Sequence, residues 1–125
     1  MISILIVEDD PAVATMLDMT FSLEGYETEV VAEGTAALAR LEGPPVDVVV
    51  LDVMMPEVDG LDVLRALRAL PAWDGTRVIV STALASDADL WAGWSAGADY
   101  YLTKPFDLDH LRDVVGRLTV GTPVT

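Results

Sequence analysis

Four short apolar runs in this chain end in side chains that can do chemistry. Ile2–Val7 leads into Glu8-Asp9-Asp10, Val46–Leu51 into Asp52, Arg77–Ser81 into Thr82, and Tyr100–Leu102 into Thr103-Lys104-Pro105. Lys104 is the only lysine and His110 the only histidine. Brought to one rim, the acids would repel one another and call for a cation. With no cysteine and no histidine near these motifs, the ligands are hard oxygens, which suit Mg²⁺ (or Mn²⁺ in its place) rather than zinc. A carboxylate nucleophile, a metal, a hydroxyl donor and an ammonium are together the parts of a phosphoryl-transfer site. Taken singly, each motif has a plainer reading. An acidic run after a strand is commonly a helix N-cap, a lone Thr is usually structural, and a Lys-Pro pair is usually a turn. It is the joint arrangement on successive strand ends that is hard to assign to chance.

The elements that would position these residues are legible from the hydrophobic pattern. Strands are expected at Ile2–Val7, Glu27–Val31, Val46–Leu51, Arg77–Ser81 and Tyr100–Leu102. Helices are expected at Pro11–Leu23, Thr35–Leu41, Leu61–Leu70, Asp87–Ala96 and Asp107–Leu118. Pro11 suits a first helical turn, where its missing N–H costs nothing. Val13, Leu17 and Phe21 recur at i, i+4, i+8 and should bury one face. Gly25 and Gly97 are candidate left-handed caps, and Asp107 and Ser86 candidate N-caps. The runs at Ile2–Val7 and Val46–Leu51 are nearly continuous in apolar residues, as strands covered on both faces are. Five strands alternating with five helices give the fold class α/β, a parallel sheet with helices on both faces. Ligands in such sheets sit beyond the carboxyl ends of the strands, where the chemistry-bearing residues stand.

A chain of 125 residues fits one compact domain, with residues 1–120 as the folded unit and 121–125 as a tail or the start of a linker. Its hydrophobic content of 52% supports a packed core. The formal charge of −14 would repel phosphate backbones, so this domain alone should not bind nucleic acid. No apolar stretch approaches the ~20 residues of a membrane helix, and Ile2–Val7 is too short for a signal-peptide core. A cytoplasmic location is expected, with no membrane partner.

These motifs closely resemble the receiver domains of two-component response regulators. The resemblance rests on Ile4-Leu5-Ile6-Val7-Glu8-Asp9-Asp10, on Leu51-Asp52-Val53-Met54-Met55-Pro56 with Asp59-Gly60, on Ser81-Thr82-Ala83, and on Gly97-Ala98-Asp99-Tyr100-Tyr101-Leu102-Thr103-Lys104-Pro105-Phe106. It covers essentially the whole chain and implies a flavodoxin-like sheet in the order 2-1-3-4-5. Carried over residue by residue, it makes Asp52 the phosphoacceptor and Glu8 and Asp9 the acidic metal pair, with Asp9 the more direct ligand. Met54 would lend a backbone carbonyl to the metal. Thr82 would be the switch hydroxyl, Lys104 the lysine that contacts the phosphoryl group, and Tyr101 the aromatic switch. Asp10 is read as a cap.

The implied reaction is transfer from a phosphohistidine of a sensor kinase or histidine phosphotransfer protein to Asp52. The output is then a change in the surface formed by the fourth helix, fifth strand and fifth helix, which acts on an unidentified output domain or target. The chain is thus a phosphoacceptor that promotes its own Mg-dependent phosphorylation and dephosphorylation, not an enzyme acting on a small molecule. A phosphatase of the haloacid-dehalogenase type would place a second Asp where Met54 stands, and no phosphate-binding glycine loop is present. A degenerate receiver, binding partners without phosphorylation, would be marked by loss of Asp52 or Lys104, and both are present. Leu90, Tyr100 and Val114 stand where the winged-helix branch of the family usually carries the charges of a dimer face, so an apolar face is expected there.

Overall fold

β1 (Ser3–Val7) and β3 (Val48–Asp52) form the centre of the sheet, and their residues are almost all buried. Both are rich in Ile, Val and Leu, whose branched side chains suit a pleated surface covered on both sides. The computed structural model describes residues 1–52, 59–82 and 96–120. Around the two central strands lie β2 (Glu27–Val31), β4 (Arg77–Thr82) and β5 (Tyr100–Thr103), giving a five-stranded sheet in the order β2-β1-β3-β4-β5. Every pairing is parallel. The expected fold class and strand order are both met.

Alternation along the strands divides the core in two. Ile4, Ile6, Val48, Val50 and Ile79 face one way, onto Leu17 and Phe21 of α1 (Pro11–Leu23) and Leu111, Val114 and Val115 of the C-terminal helix (Leu108–Thr119). Leu5, Val7, Val49, Leu51, Val78 and Val80 face the other way, onto Ala37 of α2 (Gly34–Arg40) and Val63, Leu64 and Leu67 of α3 (Gly60–Arg68). Each fully buried Leu or Phe contributes roughly 2 kcal/mol, so both helical layers are held mainly by this burial.

The caps follow the sequence. The Asp10 side chain accepts from the amides of Ala12 and Val13 at 2.9 and 3.4 Å, and Asp107 accepts from Asp109 at 2.9 Å. Gly25 and Gly97 take φ of +92° and +105°. Five strand ends differ from expectation by a residue or two. β1 begins at Ser3 and β3 at Val48, while β3, β4 and β5 run on to Asp52, Thr82 and Thr103. The strands extend because the Asp52↔Ser81 and Thr82↔Thr103 pairs keep the parallel ladder going past the apolar runs. α3 ends at Arg68, short of Leu70, because Pro71 opens a separate 3₁₀ turn, Pro71–Trp73. That turn buries Trp73, whose indole N–H donates to the Leu41 carbonyl at 3.1 Å.

Val114 is fully buried in the core, so it is not part of an exposed dimer face. Its heptad-like neighbours Leu111 and Val115 bury the same stripe of the C-terminal helix. The expected helix Asp87–Ala96, with its cap Ser86, lies outside the described residues apart from Ala96, and the expected tail at 121–125 lies wholly outside them.

Candidate functional site

β1 and β3 end side by side, and β5 ends on the same rim beyond β4, each with its polar residues just past the apolar run. Glu8 follows β1, and its amide continues the ladder to the Val31 carbonyl at 3.1 Å, so its side chain stays within the rim. Asp52 closes β3. Both are almost inaccessible, at 2% and 3% exposed, whereas Asp9 faces solvent. Oxygens of Glu8, Asp9 and Asp52 lie within 4.8 Å of one another. Asp10 is turned away by its capping bonds, although its amide donates back to Glu8 Oε2 at 3.2 Å.

Lys104 reaches this cluster from the far side of β4. Its amide donates to the Thr82 carbonyl at 2.7 Å, which fixes the backbone one step past β5. Its Nζ then donates to Glu8 Oε1 at 2.6 Å and Asp52 Oδ2 at 3.4 Å. Burial pulls the Lys104 pKa down, but the hydrogen bond to Glu8 and the charges of Asp52 and Glu8 together outweigh it. The ammonium is therefore held above the ordinary lysine value. Thr82 is fully buried at the end of β4, one strand from Asp52. Tyr101 is half-buried against the α2–α3 side of the core. Met54 lies outside the described residues.

The site thus gathers Glu8, Asp9, Asp52, Lys104 and Thr82. Its donor set fits a hard divalent cation. Three carboxylates converge on one another and face a single ammonium, which leaves the formal charge of the cluster at −2. The sequence singled out each of these residues but missed that Lys104 lies closer to Glu8 than to Asp52. No local motif signals that preference, since it depends on how β1, β3 and β5 are placed against one another.

Chains of known kind share both the sequence and this sheet. The family model for the response regulator receiver domain matches residues 4–116. The transcriptional regulatory protein TcrA of Mycobacterium tuberculosis is 44% identical over 110 residues, spanning 88% of this chain and 43% of that protein. The response regulator MprA of Mycobacterium sp. strain KMS is also 44% identical over 110 residues, spanning 88% of this chain and 47% of the relative. This chain therefore spans less than half the length of either relative. Among solved structures, the signal receiver domain of a signal transduction histidine kinase from Syntrophus aciditrophicus aligns with a TM-score of 0.89 at 36% identity, covering 100% of this chain and 95% of that one. The receiver domain of sensor histidine kinase PA1611 from Pseudomonas aeruginosa PAO1, described with a magnesium ion coordinated in the active site cleft, aligns with a TM-score of 0.85 at 30% identity, covering 94% of this chain and 97% of that one. A family match that runs from the first strand into the C-terminal helix, on a sheet with the expected strand order, makes this chain a member of the response regulator receiver domain family of two-component signal transduction.

Proposed function

We propose that Asp52 accepts a phosphoryl group from a phosphohistidine of a sensor kinase or histidine phosphotransfer protein. The observation that carries this reading is the placement of Asp52, a nearly buried carboxylate at the end of the central strand with the Lys104 ammonium 3.4 Å away. An Asp52 oxygen attacks phosphorus, the P–N bond breaks, and the electron pair leaves with the partner's imidazole, which is reprotonated from solvent. The product is an acyl phosphate. Lys104 is within reach of the transferred oxygens because its Nζ already sits at the acceptor carboxylate, and charge-assisted donors of this kind are strong. Glu8, Asp9 and Asp52, with the Met54 carbonyl, would hold Mg²⁺. The ion neutralises phosphoryl oxygen charge when bound. Thr82, one strand over, donates its hydroxyl to the new phosphoryl oxygens, and Tyr101 follows it inward. The altered surface of β5, the C-terminal helix and the segment 87–96 is what an output domain or target reads. Residues 1–120 act as the receiver unit.

The partner's approach is suggested by α1. Met16, Met19 and Leu23 are 40%, 59% and 85% exposed on it, and Val13 and Met16 line a cleft of about 410 Å³ with Lys104, Pro105 and Phe106. An apolar surface that ends at Lys104 suits a helical partner delivering a phosphohistidine to Asp52. The reading of a degenerate, phosphorylation-independent module is disfavoured because Asp52 and Lys104 are both present and meet.

The test is incubation with acetyl phosphate and Mg²⁺, followed by mass spectrometric mapping of the labelled peptide. One phosphoryl group on Asp52, absent in Asp52→Asn, is expected. Full labelling of Asp52→Asn would overturn the assignment.

A further inference from the structure

At the end of the sheet away from the carboxylates, one guanidinium ties α3 to the turns that lead into β4 and β5. Arg68, in the last turn of α3, donates from Nε to the Gly97 carbonyl at 2.9 Å, from Nη1 to the Thr76 carbonyl at 2.7 Å and from Nη2 to Asp99 Oδ2 at 2.8 Å. Asp99 also accepts from the Val78 amide at 2.8 Å and from Arg77 Nη1 at 3.4 Å, and its own amide donates to the Val78 carbonyl at 2.8 Å. Both partners are largely buried, with side chains 24% and 22% exposed. Gly97 leaves the space the arginine needs, since a Cβ there would stand 2.9 Å from Arg68 Cγ.

This cluster lies at the entrance to a strand that has little else to set its register. β5 is a four-residue edge strand, paired only with β4, and Leu102 is its single buried residue. Register is normally specified by which face carries the apolar side chains, and a slip of one residue exchanges the faces. In β5 the first residues on opposite faces, Tyr100 and Tyr101, are identical and only partly buried, so the side-chain penalty for a slip falls on Leu102 alone. Yet Lys104, at the far end of β5, must reach Glu8 and Asp52, and a slip would carry it about 3.3 Å along the strand, well outside hydrogen-bond range.

We propose that Arg68 and Asp99 are positioning residues for the phosphoryl site, a clamp that fixes the register of β5 on β4 and thereby sets Lys104 against Asp52. The fork geometry of arginine suits this task, because three acceptors from two turns must be held at once, which a lysine point charge cannot do in a fixed plane. The proposal rests on the reading of Asp52 and Lys104 given above.

Arg68→Met keeps the aliphatic stem and removes the fork, while Asp99→Asn keeps an acceptor and removes the charge. Each is compared with the parent chain in two ways, at a temperature where urea titration shows the variant folded. The first is the rate of Asp52 labelling by acetyl phosphate and Mg²⁺. The second is residue-resolved amide hydrogen exchange. Labelling is expected to slow about tenfold or more in Arg68→Met, with exchange at Asp99 and Lys104 accelerating at least tenfold while the β1–β2 amides stay protected. Arg68→Lys should recover little of either. Labelling within twofold of the parent in both folded variants overturns the proposal. So does a loss of protection spread evenly over all five strands, which marks an ordinary stability effect. If Arg68→Met does not fold, Asp99→Asn decides by the same criteria. Labelling that persists in Asp52→Asn defeats the functional reading instead, and the exchange measurements then still decide whether the clamp holds β5.

Discussion

The two ends of the sheet each hold a cation among oxygens, and the two clusters are completed to different degrees. Where the strands begin, Arg68 directs three donors at two carbonyls and one carboxylate, and the carboxylate has further donors of its own from Val78 and Arg77. Two guanidinium groups meet one carboxylate there and both Asp99 oxygens accept hydrogen bonds, so the cluster is closed to a further cation. Where the strands end, the ammonium of Lys104 faces three clustered carboxylates and leaves negative charge in excess. A closed cluster has nothing left to offer a ligand and serves the fold. An open one is unfavourable until something cationic or electrophilic arrives. The contrast also suits the residue types, since arginine spans several acceptors in a plane while lysine is a compact, movable charge.

The largest expected effect falls on the open cluster. Asp52→Asn should abolish labelling by acetyl phosphate outright, since the amide is no nucleophile for phosphorus, and intact-mass spectrometry reads this directly. Next is Lys104→Met, for which the labelling rate should fall about 10²-fold, the usual effect of removing one preorganised donor to developing oxygen charge. Labelling of Lys104→Met at the parent rate would mean that the ammonium serves only to hold Glu8.

Which of the two clusters could be read in the sequence follows from how far apart their parts lie along a recognisable pattern. Glu8, Asp9, Asp52, Thr82 and Lys104 each follow an apolar strand run, so the rule that ligands gather beyond strand ends locates the open cluster from the sequence. Asp10 as a cap and Gly25 and Gly97 as left-handed turns were readable for a similar local reason. Arg68 and Asp99 carry no such mark. One sits in the last turn of a helix, where a basic residue complements the helix dipole anyway, and the other sits before a short strand as an ordinary turn acid. Their pairing spans 31 residues and exists only once β4 and β5 are side by side. Family charge patterns put Val114 on an exposed face, whereas the buried stripe of its own helix decides its environment. The Trp73 turn escaped because a three-residue 3₁₀ segment has no period to detect.

Stability measured without metal should separate the clusters by sign. Asp99→Asn removes one partner of a largely buried pair and should cost about 2 kcal/mol in urea unfolding, less than a fully buried pair because both side chains are partly exposed. Asp9→Asn removes one of three mutually repelling acids and should stabilise the metal-free chain by about 1 kcal/mol. Added Mg²⁺ should then stabilise the parent more than it stabilises Asp9→Asn, by linkage to binding. Equal stabilisation of the two by Mg²⁺ would exclude Asp9 as a ligand.

The smallest effect is the dependence of each cluster on alkaline pH, where lysine titrates and arginine does not. The Lys104 pKa is raised in the folded chain, because its bond to Glu8 and the charges of Asp52 and Glu8 outweigh the cost of burial. A raised folded value means the pairing stabilises fully below the unfolded value of about 10.4 and is lost as pH rises through the higher folded value. In EDTA, the stability difference between the parent and Lys104→Met should therefore stay constant from about pH 8 to about 10, then shrink above about 10.4 as the parent's ammonium loses its proton. The difference between the parent and Arg68→Met should hold steady across the same range, since the guanidinium keeps its proton throughout. Stability curves from urea titrations at half-unit steps suffice to see this. If both differences decline together, alkaline titration acts on the whole fold, and the separate electrostatic characters assigned to the two ends of the sheet are wrong.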